Sequence, residues 1–155
     1  MKISVRKIAL GVLLVGAFVL AACGGSASGD GASGGLTVGS DGENLAYAPA
    51  TLTAKAGEKV SLVFKNNSTA LAHNFVLVNG GVDVANAVND AGGEAGEAAG
   101  YVAADKADVI AHSALLAPGA SETLEFTAPA AGTYSYICTY PAHLGGGMIG
   151  TLTVN

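Results

Sequence analysis

From residue 36 onward, apolar and polar side chains alternate with the period of an extended strand, in short runs mostly separated by Gly, Pro, Asn or Ser. In Lys59-Val60-Ser61-Leu62-Val63-Phe64, the residues Val60, Leu62 and Phe64 share one face, and Thr151-Leu152-Thr153-Val154 repeats the pattern at the C-terminus. Such runs are strands with one buried and one wet side. The same reading predicts strands over 36–39, 51–54, 59–66, 74–78, 121–127, 133–137 and 149–154. Seven or eight short strands at this spacing predict an all-β, two-sheet sandwich. Residues 82–106 break the pattern. They are rich in Ala, Glu and Asp, and Gly92, Gly93, Gly96 and Gly100 interrupt any long helix. They are predicted to form an insertion with one or two short helical turns, a flap on the side of the sandwich.

The N-terminus carries a different pattern. Lys2, Arg6 and Lys7 precede an apolar run from Ile8 to Leu20, which ends in Leu20-Ala21-Ala22-Cys23. A basic start, a short apolar stretch and small residues at its end describe a removable export signal rather than a spanning helix. The tetrad resembles a bacterial lipobox, which implies a signal over 1–22, cleavage before Cys23 and acylation of the Cys23 thiol. Residues 24–35 are Gly, Ser and Ala with a single Asp. Too polar to bury a core, they are predicted to be a flexible leash with a reach of roughly 20 Å. One domain, 36–155, then follows.

Cleavage changes the charge. It takes away three of the seven Lys and Arg and none of the twelve Asp and Glu, leaving a net charge of −8. So acidic a domain has no electrostatic footing on nucleic acid or on anionic lipid head groups, so only acyl chains would hold it at a membrane. The compartment is oxidising, yet with Cys23 acylated Cys138 has no disulfide partner, and a lone cysteine in an exported protein asks for another role.

That role is suggested by Cys138-Thr-Tyr-Pro-Ala-His143-Leu-Gly-Gly-Gly-Met148, which lies between two predicted strands. Each residue alone has an ordinary structural explanation: a buried thiol as a small hydrophobe, a solvated imidazole, a thioether plugging a gap. Together, a soft thiolate, an imidazole and a thioether on one loop suit copper, whose His2Cys-plus-weak-Met site needs a second histidine from elsewhere in the fold. His73, in Ala72-His73-Asn74-Phe75-Val76-Leu77, supplies it just before a predicted strand. Asn74 is placed to bridge the His73 and Cys138–Thr139 loops through its side-chain amide. His112 is left over and is read as a surface residue.

Residues 59–155 resemble the azurin, plastocyanin and auracyanin family of type 1 copper proteins. The segment 72–77 is similar to azurin's first-ligand strand, and Val109-Ile110-Ala111-His112-Ser113 to a stretch carrying a histidine that is not a ligand. Residues 138–143 are similar to the ligand loop, and Gly150-Thr151-Leu152-Thr153 to the last strand. The spacing of four residues from Cys to His and four from His to Met departs from azurins and plastocyanins and matches auracyanin. The resemblance implies a cupredoxin-like Greek-key sandwich holding one type 1 copper per chain. It assigns His73, Cys138 and His143 as equatorial ligands and Met148 as axial, with the Ala72 carbonyl as an additional weak contact.

A site closed by four protein ligands leaves no room for substrate, so the chain is expected to be an electron carrier and not an enzyme. Oxidase or reductase chemistry would need His-x-His pairs or a second copper site, which the sequence lacks. The expected function is Cu(I)/Cu(II) cycling that shuttles single electrons between membrane-bound redox complexes. The donor would be a quinol-oxidising complex or cytochrome and the acceptor a reaction centre or oxidase, met at the outer, periplasmic face of the cell membrane by a monomer. A periplasmic copper carrier or chaperone is the alternative, although such proteins favour open sites rich in Met or His.

Overall fold

The computed structural model describes residues 34–155; the expected export signal, Cys23 and nearly all of the leash lie outside the described residues. Among the described residues, nine strands form two sheets. The first sheet has the order β2-β1-β4-β7, built from β1 (Gly34–Asp41), β2 (Asn44–Ala48), β4 (Lys59–Lys65) and β7 (Ser121–Thr127). The second has the order β3-β9-β8-β5-β6, built from β3 (Thr51–Ala54), β5 (Val76–Val78), β6 (Val109–His112), β8 (Gly132–Ile137) and β9 (Ile149–Val154). Both sheets are mixed. β1 runs parallel to β4 and β3 parallel to β9, while the remaining pairs are antiparallel. The chain changes sheets repeatedly, as a Greek-key sandwich requires.

The period-2 reading holds where one face is wet. Val60, Leu62 and Phe64 of β4 are buried between exposed Lys59 and Lys65, and Leu152 and Val154 of β9 are buried likewise. Two strands went unpredicted: β2, whose Asn44-Leu45-Ala46-Tyr47-Ala48 reads as a loop, and β6, whose Val109-Ile110-Ala111 is a continuous apolar run without alternation. β1 starts at Gly34, paired with Val60, because a ladder hydrogen bond needs no side chain.

The flap corrects the sequence expectation. Val82–Ala95 is one 14-residue helix, α1, which runs through Gly92 and Gly93 and is followed by a 3-10 turn at Glu97–Ala99. Two glycines cost such a helix roughly 2 kcal/mol of propensity. That cost is offset by burial: Ala85 and Val88 pack with Val76, Val78, Val102 and Ile137 in a second apolar cluster on the outer side of the second sheet. Burying a single valine is worth about 1.5–3 kcal/mol, so packing decides. The unbroken run Val76-Leu77-Val78 carried the signal, since a strand apolar on both faces is a strand covered on both faces. The main core, between the sheets, includes Tyr47, Phe64, Phe75, Tyr136, Cys138 and Met148.

Candidate metal centre

At one end of the sandwich, two loops converge. The first leaves β4 at Asn66, a buried side chain that accepts from the Ser40 hydroxyl (3.1 Å) and the Ser68 N–H (3.0 Å) and donates to the Leu71 (2.8 Å) and Leu116 (3.0 Å) carbonyls. The Glu43 carboxylate clamps the same loop from the β1–β2 turn, accepting from the Thr69 N–H (2.6 Å) and the Ser68 hydroxyl (2.8 Å). Those bonds, led by the Thr69 amide, hold its carboxyl below the usual carboxylate range. Neither residue stood out in the sequence, because polar frameworks have no period. The loop delivers His73, fixed by a backbone bridge in which His73 donates to the Leu116 carbonyl (3.1 Å) and Leu116 to that of His73 (2.8 Å). The Nε2 of His73 is buried with no hydrogen-bond partner among the described residues, so packing and this bridge orient the ring.

The second loop starts at Cys138, directly after β8, and braces itself. The N–H of His143 donates to Tyr140 (3.0 Å), that of Met148 to His143 (3.0 Å), and that of Cys138 to Met148 (3.2 Å). Of its three consecutive glycines only Gly147 needs a positive φ (103°), while Ala142, at 69°, takes the other left-handed position. Gly146 serves close approach: a Cβ there would strike the end of the Leu45 side chain.

The convergence brings the Nδ1 of His143 to 3.4 Å and the Nδ1 of His73 to 3.9 Å from the Cys138 Sγ. One donor atom from each of the three residues lies within 4.8 Å of the others. His73 and Cys138 are fully buried and His143 keeps 5% of its surface, while Met148 is fully buried in the same core as Cys138. His112 stands apart on β6, exposed, with its Nδ1 3.1 Å from the Ser113 carbonyl. Burial pushes the Cys138 thiol up to about 11, against the pull of the Asn74 and Tyr140 N–H groups. Burial, and the neighbouring His143, push His73 down to about 4, and burial lowers His143 as well. Both imidazoles are therefore neutral at physiological pH, with lone pairs free for a metal. A bound cation would take the place of the thiol's proton. This donor set fits a soft or borderline ion such as copper.

Around the donors, Asn74 joins the two loops. Its Oδ1 accepts from the Thr139 N–H (2.9 Å), and its Nδ2 donates to the Thr139 Oγ1 (2.9 Å) and the Gly100 carbonyl (3.0 Å). Its backbone N–H points at the Cys138 Sγ (3.5 Å), and its carbonyl accepts from the Tyr47 hydroxyl (2.7 Å). Tyr47, on the unpredicted β2, had no signal in the sequence for this role. Leu144, next to His143, is half-buried against the cluster beneath α1. The solvent-facing part of the loop is Pro141, Ala142 and the glycines at 145–147.

The family model for copper binding proteins of the plastocyanin/azurin family matches residues 35–155. Auracyanin-A of Chloroflexus aurantiacus is 47% identical over 151 residues, spanning 92% of this chain and 93% of that protein. Among solved structures, the dithionite-reduced auracyanin of the photosynthetic bacterium Roseiflexus castenholzii is 49% identical, with a TM-score of 0.77 over 81% of this chain and 99% of that one. An azurin from the methylotroph Methylomonas sp. strain J shares 26% identity and a TM-score of 0.70 over 80% of this chain and 99% of its own. A match that runs from the first strand to the last residue carries membership with it: the chain belongs to the copper-binding plastocyanin/azurin family, and it is a type 1 copper protein that carries electrons and not an enzyme.

Proposed function

We propose that His73 and His143 through Nδ1, Cys138 through Sγ and Met148 through its thioether hold the copper, and that the protein shuttles single electrons between membrane-bound redox complexes. The observation that carries this reading is the buried approach of two neutral imidazoles to one thiol, 3.4 and 3.9 Å away. When bound, copper supplies a one-electron Cu(I)/Cu(II) couple. The chain holds the donors in place as that charge changes: the His73–Leu116 bridge, the self-braced ligand loop and the Asn74 bridge each limit rearrangement. Burial of all four side chains speaks against a copper chaperone, which must hand the ion over. Titration with Cu(II) tests the reading. One equivalent should give an intense blue band and a narrow EPR hyperfine splitting, and a colourless adduct would overturn it.

Partner docking is assigned to the tip of the ligand loop. Residues 137–149 carry no charge, whereas Asp90, Glu94, Glu97, Asp105 and Asp108 lie in or near the flap. An uncharged tip beside the His143 edge suits brief contact, while distant charge steers encounter. Because Leu144 packs inward, the probe is Ala142→Asp, which puts a charge on an exposed left-handed position that aspartate tolerates. Electron exchange with the native partner should slow at least about tenfold, with spectrum and potential nearly unchanged. Stopped-flow rates equal to wild type would move the port elsewhere.

The carrier is placed on the outer face of the cell membrane as a monomer, held by acyl chains on Cys23. The tetrad Leu20-Ala21-Ala22-Cys23 supports this. Mass spectrometry of the native protein should find residue 23 at the N-terminus and acylated. An unmodified Cys23 would refute the anchor.

A further inference from the structure

The flap reaches the metal centre through its own backbone. Gly100 and Tyr101 both take left-handed conformations, φ 63° and 59°. The second is unusual for a residue with a side chain and persists only where surroundings impose it. Their carbonyls point at the bridge between the two ligand loops: Gly100 accepts from the Asn74 side chain (3.0 Å) and Tyr101 from the Thr139 hydroxyl (2.6 Å). A chain of backbone bonds ties these carbonyls to α1. The Gly96 N–H donates to Gly92 (3.1 Å), the Tyr101 N–H to Gly96 (3.0 Å) and the Gly100 N–H to Glu97 (2.8 Å). At the other end of that chain, Gly92 is buried against Tyr101 itself. A Cβ at Gly92 would land on the Tyr101 carbonyl oxygen and lie 3.2 Å from the Thr139 Cβ. The neighbouring Gly93 has nothing within 4 Å of such a Cβ. One glycine of the pair is therefore required by contact and the other is not.

We propose that the flap is a positioning element of the copper site, in which the close seat of Gly92 on Tyr101 sets the two carbonyls that hold Asn74 and Thr139. Asn74 and Thr139 each follow a ligand, His73 and Cys138, so the helix determines how closely the two ligand loops approach. The inference rests on the ligand assignment above and extends it to a helix that supplies no ligand.

The adjacent glycines provide the test. Gly92→Ala and Gly93→Ala raise helix propensity equally. Gly93→Ala should leave copper affinity, spectrum and potential at wild-type values. Gly92→Ala should speed amide exchange of the Thr139 N–H in the metal-free protein by about tenfold through easier local opening. It should also weaken copper binding by about tenfold and shift the charge-transfer band and reduction potential. Equal behaviour of the two variants overturns the proposal. Faster exchange with unmoved spectrum and potential overturns the role at the metal, and Cys138→Ala reports separately whether the ligand assignment fails. Should Gly92→Ala not fold, Gly100→Val disturbs the same carbonyls without touching α1, since a β-branched residue cannot hold φ 63°. It should give the same exchange and spectral changes, and wild-type values from it overturn the proposal.

Discussion

Copper-loaded Cys138→Ala should be colourless, with no intense visible band and a broad EPR hyperfine pattern. The band of a type 1 site is a thiolate-to-copper charge transfer, and Cys138 is the single free thiol among the described residues. It is also the hub of the convergence, since the imidazoles of His73 and His143 both face its Sγ. A methyl group in its place leaves two imidazoles and a thioether, a set that still binds copper but produces no thiolate transition. His112→Ala should retain the full spectrum, because that ring is exposed on β6 and faces the Ser113 carbonyl. Met148→Leu should stay blue and show a raised reduction potential by voltammetry, because loss of a weak axial donor favours Cu(I). A Cys138→Ala protein that still turned blue would end the assignment, and a lowered potential in Met148→Leu would remove the axial role.

Asn74→Leu should destabilise the metal-free protein by about 1–3 kcal/mol in urea denaturation, while keeping the overall fold. The substitution conserves size but strands one buried donor, the Thr139 N–H, while the half-exposed Gly100 carbonyl can turn to water. Each unsatisfied buried group costs about 1–3 kcal/mol. The Thr139 hydroxyl keeps Tyr101 as an acceptor, so it adds little to the loss. With copper bound, the potential should shift as well, since the loops carrying His73 and Cys138 lose their link. A stability loss under about 1 kcal/mol would mean that Asn74 merely ends a loop and bridges nothing.

Which parts of this were legible in the sequence follows from the range of the interactions involved. Alternation at Val60, Leu62 and Phe64 and at Leu152 and Val154 marked half-buried strands, because side-chain direction in a strand is a local property of the backbone. The candidate donor residues stood out for a chemical reason. Thiol, imidazole and thioether are rare side chains here, and three of them share one eleven-residue stretch, so their coincidence spoke without any geometry. What stayed hidden was set by contacts between distant segments. β2 forms because β1 offers it a ladder, and α1 survives Gly92 and Gly93 because Val76, Val78 and Ile137 need a cover. Leu144 turns inward for the same reason. The framework of Glu43, Asn66 and Ser68, the hydroxyl of Tyr47 on Asn74, the flap carbonyls on Asn74 and Thr139, and the bridge between those two join residues 25 to 65 positions apart. Sequence by itself therefore determined the sandwich and singled out the candidate metal donors, through local periodicity and side-chain chemistry. The distances among those donors, and the helix pressed against the residues that hold them, were decided only when the tertiary fold closed two sheets and a flap around one buried thiol.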